Sequence, residues 1–426
     1  MYATCRVHSE STNSRRPLTA QFERPLTMTG TLISPDSVLP AVTADRDALF
    51  AEGLEADTLG KLPDSTVTRM KDAGVIRLLQ PVDYGGMEAT PRQFAETVMG
   101  IARINPSAGW VAGIVGVHPW QLAMADKSVQ DDVWGTDPDT WMASPYMPNG
   151  VAVRVDGGYR MSGRWSFSSG TDHCTWAFLG AMAHDADGNM ELPPRMLHVV
   201  IPRTDYEIIE DSWDVVGLKG TGSKDLVVEN AFIPDERVME YDHLIDGSQV
   251  ARAGLEQTVY RMPWSCVFPL GITAATVGIS EGLLDTAREY LEDRIGAQGT
   301  AIKDDPYVLY QLGESEAKIY QARQALIANA EEIHDIVDRG DEVSFARRAQ
   351  GRRTQAEAAW TAVRAVDNIY ARCGGTALRM DKPMQRFWRD AHAGLHHAIH
   401  VPSTVFHASA LSSLGVDPEG PLRAMI

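Results

Sequence analysis

The spacing of apolar residues changes twice along this chain, and that change limits the fold more than any other feature. From about residue 41 to 139 the period is helical: within 91–103, Phe94, Val98 and Ile101 share a stripe, Pro91 suits a first turn and Thr90 a cap. Residues 59–74 also read as helix, and Asn105, Pro106 and Ser107 break the pattern and restart it toward His118. From 140 to 246 strand-like runs take over. Residues 151–155 and 159–167 flank Asp156-Gly157-Gly158, a hairpin signal. Further strand-like runs cover 176–182, 197–201 and 226–233, with Asp185, Gly188, Pro202 and Pro234 as turn residues. After 247 the period is helical again, and 272–294, 307–338 and 345–372 are each long enough for a bundle helix, with stops at Gly340 and Gly374-Gly375. Helices and strands are segregated, which excludes a βαβ fold. The pattern predicts an α+β, mostly α chain: a flexible tail (1–40), an N-terminal helical domain (41–139), an antiparallel β-barrel or sandwich (140–246) and a C-terminal four-helix bundle (247–426).

Charge removes two classes of partner. The net charge of -18 leaves no basic footprint for nucleic acid and repels an anionic membrane surface. No run approaches the roughly 18–20 consecutive apolar residues of a membrane span. Arg15, Arg16 and Arg24 are not followed by an apolar stretch, so a signal peptide is not expected, and Met1 and Met28 are alternative starts. Cys5, Cys174, Cys266 and Cys373 form no CxxC pair and match no zinc spacing, which fits free thiols in a reducing cytoplasm.

Individual motifs carry bland and chemical readings side by side. The run 217–224, with Gly217, Gly220 and Gly222, invites a phosphate-loop reading, yet it lacks the Gly-Lys-Ser/Thr ending, and strand-like Leu226, Val227 and Val228 follow instead of a helix. A structural loop feeding a strand is the better reading. His392, His396 and His400 fall at i, i+4 and i+8, but no HExxH glutamate accompanies them and Val401-Pro402 ends the run, so no metal is expected. Trp165, Phe167, Ser168, Ser169 and Gly170 close a strand with rings, hydroxyls and a glycine, which can wall a planar ligand and hydrogen-bond its heteroatoms. Arg386, Phe387, Trp388, Arg389, Asp390 and His392 mix opposite charges with aromatics, as an interhelical ion-pair cluster does.

Together these pieces resemble the acyl-CoA dehydrogenase superfamily over about residues 41–426, with Leu78-Leu79-Gln80-Pro81 and Tyr84-Gly85-Gly86 in keeping. A dehydrogenase of that superfamily needs a glutamate to abstract an α proton. The resemblance, aligned from Arg389-Asp390-Ala391, puts that position at Ala398, beside His397. The chain is therefore similar instead to the two-component (group D) flavin-dependent monooxygenases that use this fold. It resembles most those acting on a secosteroid phenol, through segments 113–118, 215–223, 262–264 and 386–394.

That resemblance implies an oxygenase component that hydroxylates a phenol ortho to its hydroxyl, through a C4a-hydroperoxide of reduced flavin and O2. FMN is the expected flavin, with FAD the alternative. Since no GxGxxG fingerprint is present, a separate NAD(P)H-dependent flavin reductase must supply it. The implied flavin contacts are Trp110, Ser144, Pro145, Tyr146, Phe167, Ser168, Ser169, Gly375, Thr376, His397 and Ala398, with Arg294 reaching the flavin phosphate of a neighbouring subunit in a homotetramer. The implied catalytic residues are His397 as base, His118 as a second partner, and Ser169 or Ser168 near flavin N5. Alternatives are a hydroxylase of another phenol or polyketide aromatic, an acyl-CoA dehydrogenase or oxidase, or a non-catalytic helical metal-binding protein.

Overall fold

The computed structural model describes residues 33–424 and 426, apart from 296–298 and 300. Residues 1–32 of the expected tail, Cys5 and Met28 among them, lie outside the described residues. The remainder of that expected tail is not loose. Pro35–Val42 is a helix, α1, which buries Val38 and Val42 one turn apart; Pro40 within it reads as a breaker in sequence.

The helices of the first zone are set by their caps. Asp45 accepts from the Ala48 N–H to start α2 (Arg46–Leu59). The single helix expected over 59–74 is instead divided, because Gly60 closes α2 at a φ of 69° and α3 begins afresh at Asp64–Asp72. Thr90 and Gln93 form a reciprocal capping box on α4 (Pro91–Ala102). Asn105 caps α5 (Pro106–Val115), and α6 (His118–Leu122) and α7 (Lys127–Trp134) follow.

The middle zone runs β1 (Met142–Ala143), β2 (Gly150–Val155), β3 (Gly158–Ser168), β4 (Trp176–His184), β5 (Met196–Pro202), β6 (Glu207–Ile209), β7 (Lys224–Pro234) and β8 (Val238–Glu240). They form one sheet in the order β6-β7-β3-β2-β4-β5-β8, with β1 against β4. The β2–β3 hairpin closes at Asp156-Gly157, where Gly157 takes a φ of 74°. The sheet is mixed rather than antiparallel throughout. After two reversals β4 runs with β2 and pairs on its free side, so β2–β4 and β1–β4 are parallel.

Short helices α8 (Tyr241–Ile245), α9 (Ser248–Ala253), α10 (Thr258–Arg261) and α11 (Trp264–Val267) lead into the bundle. Its long members are α12 (Leu270–Glu292), α13 (Pro306–Asp338) and α14 (Phe345–Tyr370), followed by α15 (Pro383–Leu395), α16 (Pro402–Ser413) and α17 (Pro421–Ala424). The stretch Trp264–Glu292 is apolar and long enough to cross a membrane by composition alone, although no unbroken apolar run showed it. The apolar 18-residue window within it is 94% buried inside the protein, and α12 is the long helix that carries most of the stretch. It packs closely on α5 because a Cβ on Gly113 would come within 2.5 Å of the Gly271 carbonyl oxygen.

Candidate active site

Two groups of the expected residues come together around α5, α6 and the ends of β1 and β3. The first begins at a distortion. Register shifts in the β3–β7 pairing between Trp165 and Ser168 put Phe167 at a φ of 68°. The normal alternation is lost, so Phe167 is 71% exposed while Ser168 and Ser169 are buried. The Phe167 ring stands edge-on to Trp213.

Behind it runs a chain of hydroxyls. The Trp110 indole N–H donates to Ser169 Oγ at 3.2 Å, Ser169 Oγ lies 2.8 Å from Ser223 Oγ, and Ser223 Oγ lies 2.7 Å from Thr221 Oγ1. Thr221 Oγ1 donates to the Leu218 carbonyl, which can only accept. That fixes every proton in the chain: Ser223 donates to Thr221, and Ser169 donates to Ser223. Ser169 therefore keeps one lone pair free, as an acceptor. Among the described residues Ser168 Oγ is buried without a partner. The His397 ring lies 6.0 Å from Trp110, admitted by Gly394, whose added Cβ would meet the Trp110 ring at 3.2 Å. His397 Nδ1 accepts from the Ile399 N–H, which leaves the proton of the neutral ring on Nε2. Ala398 begins the turn that follows and is exposed.

The second group is more deeply buried. His118 Nδ1 lies 2.6 Å from the Met142 carbonyl oxygen, so that nitrogen carries the proton. His118 Nε2 is then the acceptor, and Ser144 Oγ donates to it at 2.5 Å. Pro145 and Tyr146 continue this segment over β4, where the Pro145 carbonyl accepts from Gly180. The Tyr146 ring is edge-on to His118, and burial pushes its phenol well above the usual range, with the Ser144 hydroxyl opposing. Burial holds the His118 and His397 imidazoles each down to about 4, the Met142 carbonyl opposing the shift at His118 and the Arg352 charge reinforcing it at His397.

Arg294, Gly375 and Thr376 form a third, separate group at the C-terminal end of α14. The Arg294 guanidinium lies over the Tyr290 ring and donates to the Cys373 carbonyl. Gly375 and Thr376 open the turn Gly375–Leu378. The histidine run forms no helical face, since α15 stops at Leu395. His392 bonds Asp367 at 2.7 Å, His400 bonds the Gly394 carbonyl and Thr273, and no metal-holding group occurs among the described residues. The charged cluster is structural: Arg389 pairs with Asp57 at 3.0 Å, and Asp390 accepts from the Leu218 N–H at 2.6 Å.

Comparison with known proteins follows the same lines. Residues 270–402 match the family described as acyl-CoA dehydrogenase, C-terminal domain. A pigment production hydroxylase of Rhodococcus erythropolis is 66% identical over 91% of this chain and 99% of its own. The flavin-dependent monooxygenase oxygenase subunit HsaA of Mycobacterium tuberculosis is 38% identical over 91% of this chain and 96% of its own. The chain belongs to the flavin-dependent monooxygenase oxygenase subunits. The crystal structure of 3-HSA hydroxylase from Rhodococcus sp. RHA1 superposes on this oxygenase with a TM-score of 0.86 at 35% identity, covering 92% of this chain and 99% of that one. The oxygenase is thus a flavin-dependent enzyme on an acyl-CoA dehydrogenase fold, and as an oxygenase component it depends on a separate protein for reduced flavin. The dehydrogenase and metal-binding alternatives fall away.

Several polar residues packed against these groups lie outside the sequence expectations. Thr221 and Ser223 sit in the glycine-spaced loop read as purely structural; the loop does feed a strand, and it also orients Ser169. Gln121 and His198, bonded to each other at 3.0 Å beside Tyr146, are two more. The available signal was His198 itself, one ring nitrogen pair within the otherwise apolar strand 197–201.

Proposed function

We propose that this oxygenase hydroxylates a phenolic ring beside its hydroxyl group, with flavin held against Trp110, Phe167 and Ser169 and the phenol hydroxyl bound at Ser144 and His118. The observation that carries the reading is the tautomer of His118. Its Nδ1–H is committed to the Met142 carbonyl, so its one basic lone pair faces the Ser144 hydroxyl. The expected base, His397, presents an N–H from Nε2 instead, because its Nδ1 lone pair is taken by Ile399. The geometry favours His118 as base and His397 as a donor.

The residues present fit a reduced flavin. Phe167 and Trp110 offer aromatic surface, and the free lone pair on Ser169 suits the N5–H that only the reduced ring carries. When bound, reduced flavin supplies an electrophilic oxygen drawn from O2. The protein's part is to hold the ring, exclude water and move one proton. The phenol proton passes to Ser144 Oγ as the Ser144 proton passes to His118 Nε2. With its pKa near 4 the imidazole is a weak base. Transfer is therefore coupled to oxygen attack, when the phenol becomes acidic, rather than completed beforehand.

FMN is the proposed flavin and an NAD(P)H-dependent reductase its source. A homotetramer would bring Arg294 and Gly375-Thr376 of one subunit to the flavin of another, and a secosteroid phenol is the first substrate candidate. The test is turnover with reduced FMN, O2 and a panel of phenols, read by mass spectrometry. Catechol products support the reading; flavin oxidation with every phenol returned unchanged ends it.

A further inference from the structure

Beyond Tyr146 lies a second set of polar atoms that no step above uses. His198, on β5, is fully buried, and its ring lies 4.4 Å from Tyr146 and 5.3 Å from Tyr241. Its Nδ1 lies 3.0 Å from Gln121 Nε2, an amide N–H that can only donate. The proton of the neutral ring is then on Nε2. Among the described residues neither His198 Nε2 nor Gln121 Oε1 has a hydrogen-bond partner, though both are buried. One donor and one acceptor thus stand unpaired on two residues that bond each other; turning the Gln121 amide over exchanges the two roles and leaves the same count.

Unpaired buried polar groups are costly, and a ligand that bonds both of them removes that cost. We propose that Gln121 and His198 form a distal subsite that takes a neutral hydrogen-bonding substituent of the aromatic substrate, a ketone or hydroxyl, on the far side of Tyr146 from the His118–Ser144 pair. The inference rests on the phenol reading above and deepens it. A carboxylate does not fit, since burial holds the His198 imidazole near 3 and therefore uncharged. Tyr146 joins the two sites, its ring edge-on to His118 at 5.9 Å and tilted against His198 at 4.4 Å.

The experiment uses the full chain, reduced FMN and its reductase, with phenols carrying a side-chain ketone at graded distances from the ring. Each ketone is paired with its CH2 counterpart and with a carboxylate of similar length. At the matching distance the wild type should prefer the ketone over the CH2 compound in kcat/KM by roughly 10- to 100-fold and reject the carboxylate. His198→Phe and Gln121→Leu should each bring that ratio close to one, and His198→Gln, which keeps an amide N–H, should retain part of it. Equal kcat/KM for wild type across every ketone and CH2 pair overturns the subsite, whether or not the variants fold; so does a ratio unchanged by the substitutions. Hydroxylation of the CH2 phenols by the wild type shows in the same assay that the phenol reading stands by itself.

Discussion

Trp110 reaches across 3.2 Å to give its indole proton to Ser169, two residues 59 apart in sequence. Because the Leu218 carbonyl at the end of the hydroxyl chain can only accept, Ser169 is left with one free lone pair, as an acceptor for the proposed flavin contact. Ser169→Ala strands the buried indole N–H, at a cost of about 1–3 kcal/mol in denaturant unfolding. It should also divert oxygen from product to H2O2, measured as catechol formed per flavin oxidised. Coupling unchanged from wild type would remove Ser169 from the flavin contact.

The tautomers rank the two histidines. His118→Ala should lower hydroxylation by about 10²–10⁴-fold while flavin oxidation continues, the usual scale for losing a general base. His397→Ala should cost less, as the loss of a donor. A larger defect in the His397 variant would return the base role to it. Since burial sets the His118 imidazole at about 4, the acid limb of kcat/KM should fall near pH 4, well below that of an ordinary histidine.

Acid should unfold this oxygenase early. His118, His198 and His400 are fully buried and held down to about 4, 3 and 3 by that burial. Between those values and the unfolded 6.5 the unfolded chain binds more protons, so stability is complete above pH 6.5 and declines as pH falls through the window. Each contributes about 2 kcal/mol of loss by pH 5. Asp390, buried and raised to about 6, works the other way below that pH, as do Asp139 and Glu281, which burial also raises; His397 and His173, lowered by burial, add to the loss. Tm should drop steadily from pH 7 to 5, and a flat profile would show that these rings are solvated.

The α5–α12 contact is closed by glycine. Gly113→Ala puts a methyl within 2.5 Å of the Gly271 carbonyl carried by the central helix, where neither backbone can yield locally. Such overpacking costs about 1–3 kcal/mol or more. A lowered Tm with reduced activity is expected, because α5 also carries Trp110; a wild-type melting curve would mean that the helices separate freely.

Much of the architecture was legible because its causes are local. Thr90 with Pro91, Asn105 with Pro106, and Asp156 with Gly157 act over two to four residues and appear as expected. The expectations that differ lie where a local signal is ambiguous: Gly60 inside a helical period, a short helix at Pro35–Val42 inside the expected tail, and a β4 whose pairing side no alternation pattern encodes. The proposed site is legible only in part. Resemblance names Trp110, Ser169, His118, Ser144 and His397 as its candidates but not their protonation, and Gln121 and His198 of the proposed subsite carry no motif.

The order of residues alone determined the segregated helical and strand zones, the caps and turns that bound them, and the absence of a glutamate at Ala398. The packed chain decided which nitrogen of each histidine keeps its proton, which way the Ser169 hydroxyl points, and which buried atoms remain unpaired. Those properties depend on carbonyls and hydroxyls brought from distant segments to within about 3 Å, and hydrogen bonding acts only at that range.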